Sequence, residues 1–192
     1  MGFELAIFLA LTGAPSYITQ TGRIFGMVLM ESAYSIYAPP ILASGLMTGT
    51  LLSIPLQKCL DLKTIILIGG LVISLLNAWI GIFIYFYKTV EDFKHVGMVL
   101  VVFGCTALLF TFGLTVGWLT MIYASMMVPE GTFRWAQFVN AILAGAVIVA
   151  LSIIISSEDN PEILCWVYAG STFLFTVFNA IFLIKIKGLT IA

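Results

Sequence analysis

The sequence predicts an all-α integral membrane protein, one bundle of six transmembrane helices. Three observations lead there. Of the 192 residues, 61% are hydrophobic and 9% charged, whereas a soluble domain carries about 45–50% apolar and about 25% charged residues. The mean hydropathy is +1.15, and eight basic and nine acidic side chains are too few to cover a water-facing surface. The charges also cluster, leaving charge-free runs at 5–22, 32–57, 64–87, 96–129, 135–157 and 163–184. A helix rises ~1.5 Å per residue, so ~20 residues cross the ~30 Å hydrocarbon layer. Soluble, disordered, collagen-like and disulfide-scaffold classes are excluded.

In chain order the spans are expected at 3–25, 35–56, 64–87, 98–127, 135–156 and 163–184. Residues 5–14 have the apolar character of a signal-peptide core, but Glu4 puts a negative charge where a positive region belongs, so this stretch reads as the first span. Pro39 and Pro40 open the second helix, where a missing N–H is harmless. Asp61 is expected to cap the third. The segment from Lys88 to His95 reads as a hydrated loop that includes the histidine. The 34 residues of 96–129 hold one span, since two would need ~40. Asn160, Pro161 and Glu162 read as cap, first residue and first-turn acid of the sixth helix.

Lys58, Lys63, Arg134, Lys185 and Lys187 fall at one set of ends, and Arg23, Lys88 and Lys94 at the other, which also holds most of the acids. The richer side is expected to be cytoplasmic. The chain is therefore expected to be a multi-pass protein with both termini in the cytoplasm, placed in the plasma membrane with the lipid bilayer as its partner.

Small residues recur every four positions at Gly45, Gly49 and Ser53, at Gly113 and Gly117, and at Ala141 and Gly145. Such stripes let helix backbones approach closely in lipid. No span carries a charge near its midpoint, so no proton relay or ion path is indicated. Uncharged polar groups do occur at depth: Thr12, Gln20, Thr48, Asn77, Gln137, Asn140 and Asn179. Each either lines a polar cavity or hydrogen-bonds across helices. In the first span, Gly13 and Pro15 interrupt the helix, freeing backbone groups of the kind that build substrate sites in transporters. Tyr17 and Gln20 follow in a polar run suited to a neutral polyol.

Other chemistry finds no support. A net charge of −1 gives nucleic acid no basic patch. Cys59, Cys105 and Cys165 are scattered, and the single histidine is His95, so neither a disulfide framework nor a metal site is expected. There is no nucleophile–base pair, HExxH or phosphate loop, so neither an enzyme nor a cofactor is expected.

The order of motifs resembles the C-terminal half of a sugar porter of the major facilitator superfamily. Leu11-Thr12-Gly13 followed by Ile24-Phe25 is similar to the family's Gln-Gln-Leu-Thr-Gly-Ile-Asn span. Leu67-Ile68-Gly69 after a short basic loop is similar to its Leu-Leu-Ile-Gly. Gly117, Ser125, Pro129 and Arg134 resemble the family's Gly-Pro-x-x-Trp-x-x-x-Ser-Glu-x-x-Pro stretch with its trailing Arg. Lys187-Gly188-Leu189-Thr190 resembles its terminal Lys-Gly-x-Thr. The chain also departs from the pattern. Leu9 and Ala10 stand where the family has two sugar-binding glutamines, Pro15 replaces Asn, Met121 replaces Trp, and Met126 replaces the acid before Pro129.

The resemblance implies one six-helix half of an alternating-access transporter, moving a small neutral solute, a carbohydrate or another. The residues nominated for its cavity are Thr12, Tyr17, Gln20, Thr48, Asn77, Gly117 and Asn140. A full porter needs two halves. The chain is then a piece of a twelve-span porter, a half that pairs with a second half or a second copy, or a transporter-derived adaptor or sensor that no longer transports. A small channel is disfavoured by the absence of a charged ring or filter-like repeat.

Overall fold

The computed structural model describes residues 7–9, 11–19, 37–90, 94–120, 122, 135, 138, 142, 145–146 and 161–183. Among these residues the regular structure is entirely helical. The elements are α1 (Ala14–Thr19), α2 (Ala38–Cys59), α3 (Leu62–Thr89), α4 (Lys94–Thr111) with a π-helical turn at Phe112–Val116, and α5 (Pro161–Phe182). Among the described residues four helices, Ala38–Cys59, Leu62–Thr89, Val96–Thr120 and Glu162–Phe182, are long and apolar enough to cross a membrane. The long run beginning at residue 96 is one continuous span as far as it is described. Of the expected first span, residues 3–6, 10 and 20–25 lie outside the described residues, as does most of the fifth.

Helix α3 is the central rod. It packs against α5, α4 and the π turn, while α2 packs against α4. Its buried positions run from Leu62 through Ile66, Ile73 and Asn77 to Ile84, in steps of three residues and one. That spacing covers two faces of a helix with 3.6 residues per turn. Gly69 and Gly70, about 100° apart around the axis, serve different neighbours. A side chain at Gly69 would run into Thr115 of the π turn, and one at Gly70 into the Thr176 hydroxyl of α5.

Helix α2 buries Ala38, Leu42, Gly45, Gly49 and Ser53, a single narrow stripe. Gly49 lets the Phe110 carbonyl of α4 approach its backbone directly, and Gly45 does the same for Thr106. Ser53, the third member of the stripe, accepts from Trp118 Nε1 at 2.8 Å. Gly113 returns the contact, lying against the Leu46 carbonyl and Thr50. Gly117 differs: a Cβ there would meet the Phe112 carbonyl of its own helix at 3.0 Å. Its N–H bonds to that carbonyl and closes the π turn. Among the described residues nothing lies within 4 Å of a Cβ placed at Gly145, and Ala141 lies outside them.

Helix ends follow local chemistry with two corrections. Pro39 and Pro40 occupy the first turn of α2, and Pro161 starts α5 with Glu162 in its first turn. Asp61 holds the N-cap position of α3 with extended backbone, but its carboxylate makes no capping bond. The loop expected over Lys88–His95 is shorter than its charges imply. Lys88 lies in the last turn of α3 and His95 in the first turn of α4. Lys88 pairs there with Glu162 of α5 at 2.9 Å, so its charge is answered without leaving the helix. At the opposite end of the same helix pair, Lys63 Nζ donates to the Leu183 carbonyl at 2.6 Å.

Candidate functional site

The candidate site grows from the interruption in the first helical segment. Pro15 has no N–H to give the carbonyl of Leu11, four residues back. Gly13 takes φ +77°, a left-handed conformation that glycine reaches without a Cβ penalty. The chain turns there, and α1 restarts at Ala14 with Pro15 in its first turn. Tyr17 N–H donates to the Gly13 carbonyl at 2.9 Å. The close approach of Tyr168 enforces the same choice, since a Cβ at Gly13 would lie 2.7 Å from Tyr168 Cδ2.

Freed carbonyls in an apolar bundle need donors, and neighbouring helices supply them. Leu11 O accepts from Ser171 Oγ at 3.3 Å and Thr172 Oγ1 at 3.1 Å. Thr12 O accepts from Asn77 Nδ2 at 3.1 Å, while the Thr12 hydroxyl donates to Leu9 O at 2.7 Å. Beyond the break, Tyr17 OH donates to Asn77 Oδ1 at 3.0 Å. With that proton spent, the Tyr17 oxygen accepts from the Cys165 thiol at 3.3 Å. Ser16 Oγ and Tyr168 OH are 2.5 Å apart. Asn77 Nδ2 also donates to Ile73 O at 3.1 Å, and Ser74 Oγ donates to Ala169 O at 2.8 Å.

Thr12, Ser16, Tyr17, Asn77, Tyr168 and Thr172 are all buried. Together they form a polar node where the first segment, α3 and α5 meet. The node is electrically neutral and made of hydroxyl, amide and thiol groups. Such groups both donate and accept, so a bound solute would be matched by exchange of hydrogen bonds, with no charge to neutralise. Among the described residues, no three His, Cys, Asp or Glu side chains group as metal ligands.

Of the residues nominated from the sequence, the structure brings Thr12, Tyr17 and Asn77 together. Thr48 is placed apart from them, exposed on α2, its hydroxyl donating to Ser44 O at 2.7 Å. It lines an open groove of about 370 Å³ with Gly45, Phe103, Thr106 and Phe110. Gly117 closes the π turn. Gln20 and Asn140 lie outside the described residues. Tyr168, Ser171, Thr172 and Cys165 complete the node and were not singled out by sequence reasoning. One signal could have found two of them: Tyr168, Thr172, Thr176 and Asn179 repeat at helical spacing, a polar stripe on an otherwise apolar helix.

The chain matches no protein-family model and no curated protein. The sugar-porter resemblance therefore rests on the residue motifs and their order alone.

Proposed function

We propose that this chain is a multi-pass membrane protein, a six-helix bundle forming one half of an alternating-access transporter for a small neutral solute such as a carbohydrate. The observation that carries this reading is the helix break at Gly13, where the Leu11 and Thr12 carbonyls are held by side chains of two other helices. Interrupted helices with freed backbone groups recur at transporter substrate sites. The outward faces support the membrane setting: Met47, Leu75, Phe103, Leu174 and Ile181 are all exposed, as lipid-facing side chains are. Both termini lie in the cytoplasm and the bundle resides in the plasma membrane, the orientation that the basic residues favour.

In this reading the solute moves without covalent chemistry. Its hydroxyl or carbonyl groups trade places with the internal hydrogen bonds of Asn77, Ser171 and Thr172, and a second half or second copy closes the other wall. Uptake into reconstituted vesicles tests it, using a panel of labelled neutral solutes with the chain alone and with a candidate second half. Uptake above empty vesicles that falls in the Asn77→Leu variant is expected. A panel showing no uptake in either arrangement rejects transport. A second reading, a non-transporting membrane adaptor or sensor, is favoured by the mutual pairing of the node: every group of Asn77 is already engaged within the bundle.

A further inference from the structure

Four polar side chains follow one another down the buried face of α5: Tyr168, Thr172, Thr176 and Asn179. Steps of four, four and three residues keep them on one stripe, about 16 Å long at ~1.5 Å per residue. Three have partners within the bundle. Tyr168 meets Ser16, Thr172 donates to Leu11 O, and Thr176 donates to Thr172 O at 2.7 Å. Asn179 differs. It is 3% exposed, yet its Nδ2 has no hydrogen-bond partner among the described residues. A buried amide donor left unpaired is expensive, and internal waters sit at such groups.

The surroundings suit a water. Thr176, three residues back on the same face, has donated its proton to a carbonyl, so its oxygen keeps lone pairs that accept. Side chains three apart on a helix are ~5–6 Å apart at Cβ, a span one water bridges. Access is short. The Asn179 carbonyl accepts from Leu183 N–H at 2.9 Å, and the Leu183 carbonyl accepts from the Lys63 ammonium at 2.6 Å. An ammonium carries three protons and is strongly hydrated. Its position therefore marks the aqueous edge of the bundle, one helical turn from Asn179.

We propose that Asn179 binds an internal water, and that this water begins an aqueous inlet running from the Lys63–Leu183 contact toward Thr176 along the polar stripe of α5. The ligand is water, held by an amide donor and a hydroxyl acceptor. The inference rests on the stripe and the unpaired amide, so it stands whether or not the chain transports a solute.

Side-chain amide exchange of the unmodified chain in lipid nanodiscs reads it directly. The Asn179 amide should exchange with deuterated water at least about tenfold faster than that of Asn77, which donates to two carbonyls. Equal protection of the two overturns the proposal. A second measurement uses cysteine variants and a membrane-impermeant methanethiosulfonate. Asn179→Cys should react at least about tenfold faster than Leu174→Cys, on the exposed apolar face of the same helix, because the reactive thiolate forms in water. Equal rates overturn it as well.

Discussion

Asn77 holds both sides of the break in the first helical segment: its Oδ1 accepts from the Tyr17 hydroxyl at 3.0 Å, and its Nδ2 donates to the Thr12 carbonyl at 3.1 Å. One side chain on the central helix thus ties down the residue before Gly13 and the residue four beyond it. The break keeps its shape because α3 supplies a donor and an acceptor at one point.

Replacing Asn77 by Leu removes both. The Tyr17 hydroxyl and the Thr12 carbonyl stay buried with a partner missing, and an unsatisfied buried group costs about 1–3 kcal/mol in proteins generally. Interhelical bonds in membranes average ~0.6 kcal/mol with a maximum near ~1.7, so a loss of about 2 kcal/mol is expected for the pair. Equilibrium unfolding in mixed micelles measures it. A double-mutant cycle with Tyr17→Phe should be non-additive by roughly 0.6–1.7 kcal/mol; additive effects would show that the two residues do not depend on each other.

Gly13→Ala introduces two faults. A side chain at φ +77° is strained by roughly 1 kcal/mol, and its Cβ would lie 2.7 Å from Tyr168 Cδ2. A total destabilisation of about 2–3 kcal/mol is expected, read as a drop in thermal midpoint. Tyr168→Ala has its own cavity cost, so the test compares Gly13→Ala in the parent with Gly13→Ala in a Tyr168→Ala background, where only the backbone strain should remain. No remaining penalty there would mean that the positive φ costs nothing.

Glycines at close contacts and glycines facing open space should separate cleanly. Gly49→Ala drives a methyl into the Phe110 carbonyl, and backbone cannot step aside as a flexible side chain can. A loss of about 1–3 kcal/mol is expected. Gly170 sits mid-helix in α5, and among the described residues nothing lies within 4 Å of a Cβ placed there, so Gly170→Ala should be neutral or stabilising by up to about 1 kcal/mol through helix propensity. Equal effects in a thermal-shift assay would refute the assigned packing of α2 on α4.

The Lys88–Glu162 pair, with side chains 33% and 13% exposed, belongs to the partly solvated end of the bundle. Glu162→Gln should lower stability by at most about 1 kcal/mol. The difference from the parent should shrink as ionic strength rises toward ~1 M, where the screening length is ~3 Å. A variant penalty that is independent of salt would place the pair out of reach of solvent.

Much of the architecture was legible before any coordinates. Four helices of spanning length lie where charge-free runs predict them, because a stretch with no charge and enough length has one stable way to satisfy its backbone in an apolar medium. Pro39 and Pro40 announced a helix start, and Gly13 with Pro15 announced an interruption, since both are backbone constraints written in single residues. The shortened loop was not legible. Lys88 stays helical because Glu162, more than seventy positions away in the chain, meets it, and a charge count knows nothing of such a meeting.

The site divides the same way. Thr12, Tyr17 and Asn77 were visible as polar residues in apolar spans, and the structure gathers them. Thr48 looked equivalent in sequence, yet α2 turns its hydroxyl away from the node and lets it bond its own helix. Sequence alone located the four long helices among the described residues, the break in the first segment, and the positions that carry polar atoms at depth. Only the tertiary structure decided which of those atoms meet. Helix registers and rotations are set by close packing, by Gly69 admitting Thr115 and Gly70 admitting Thr176, and that information is distributed over pairs of residues far apart in the chain.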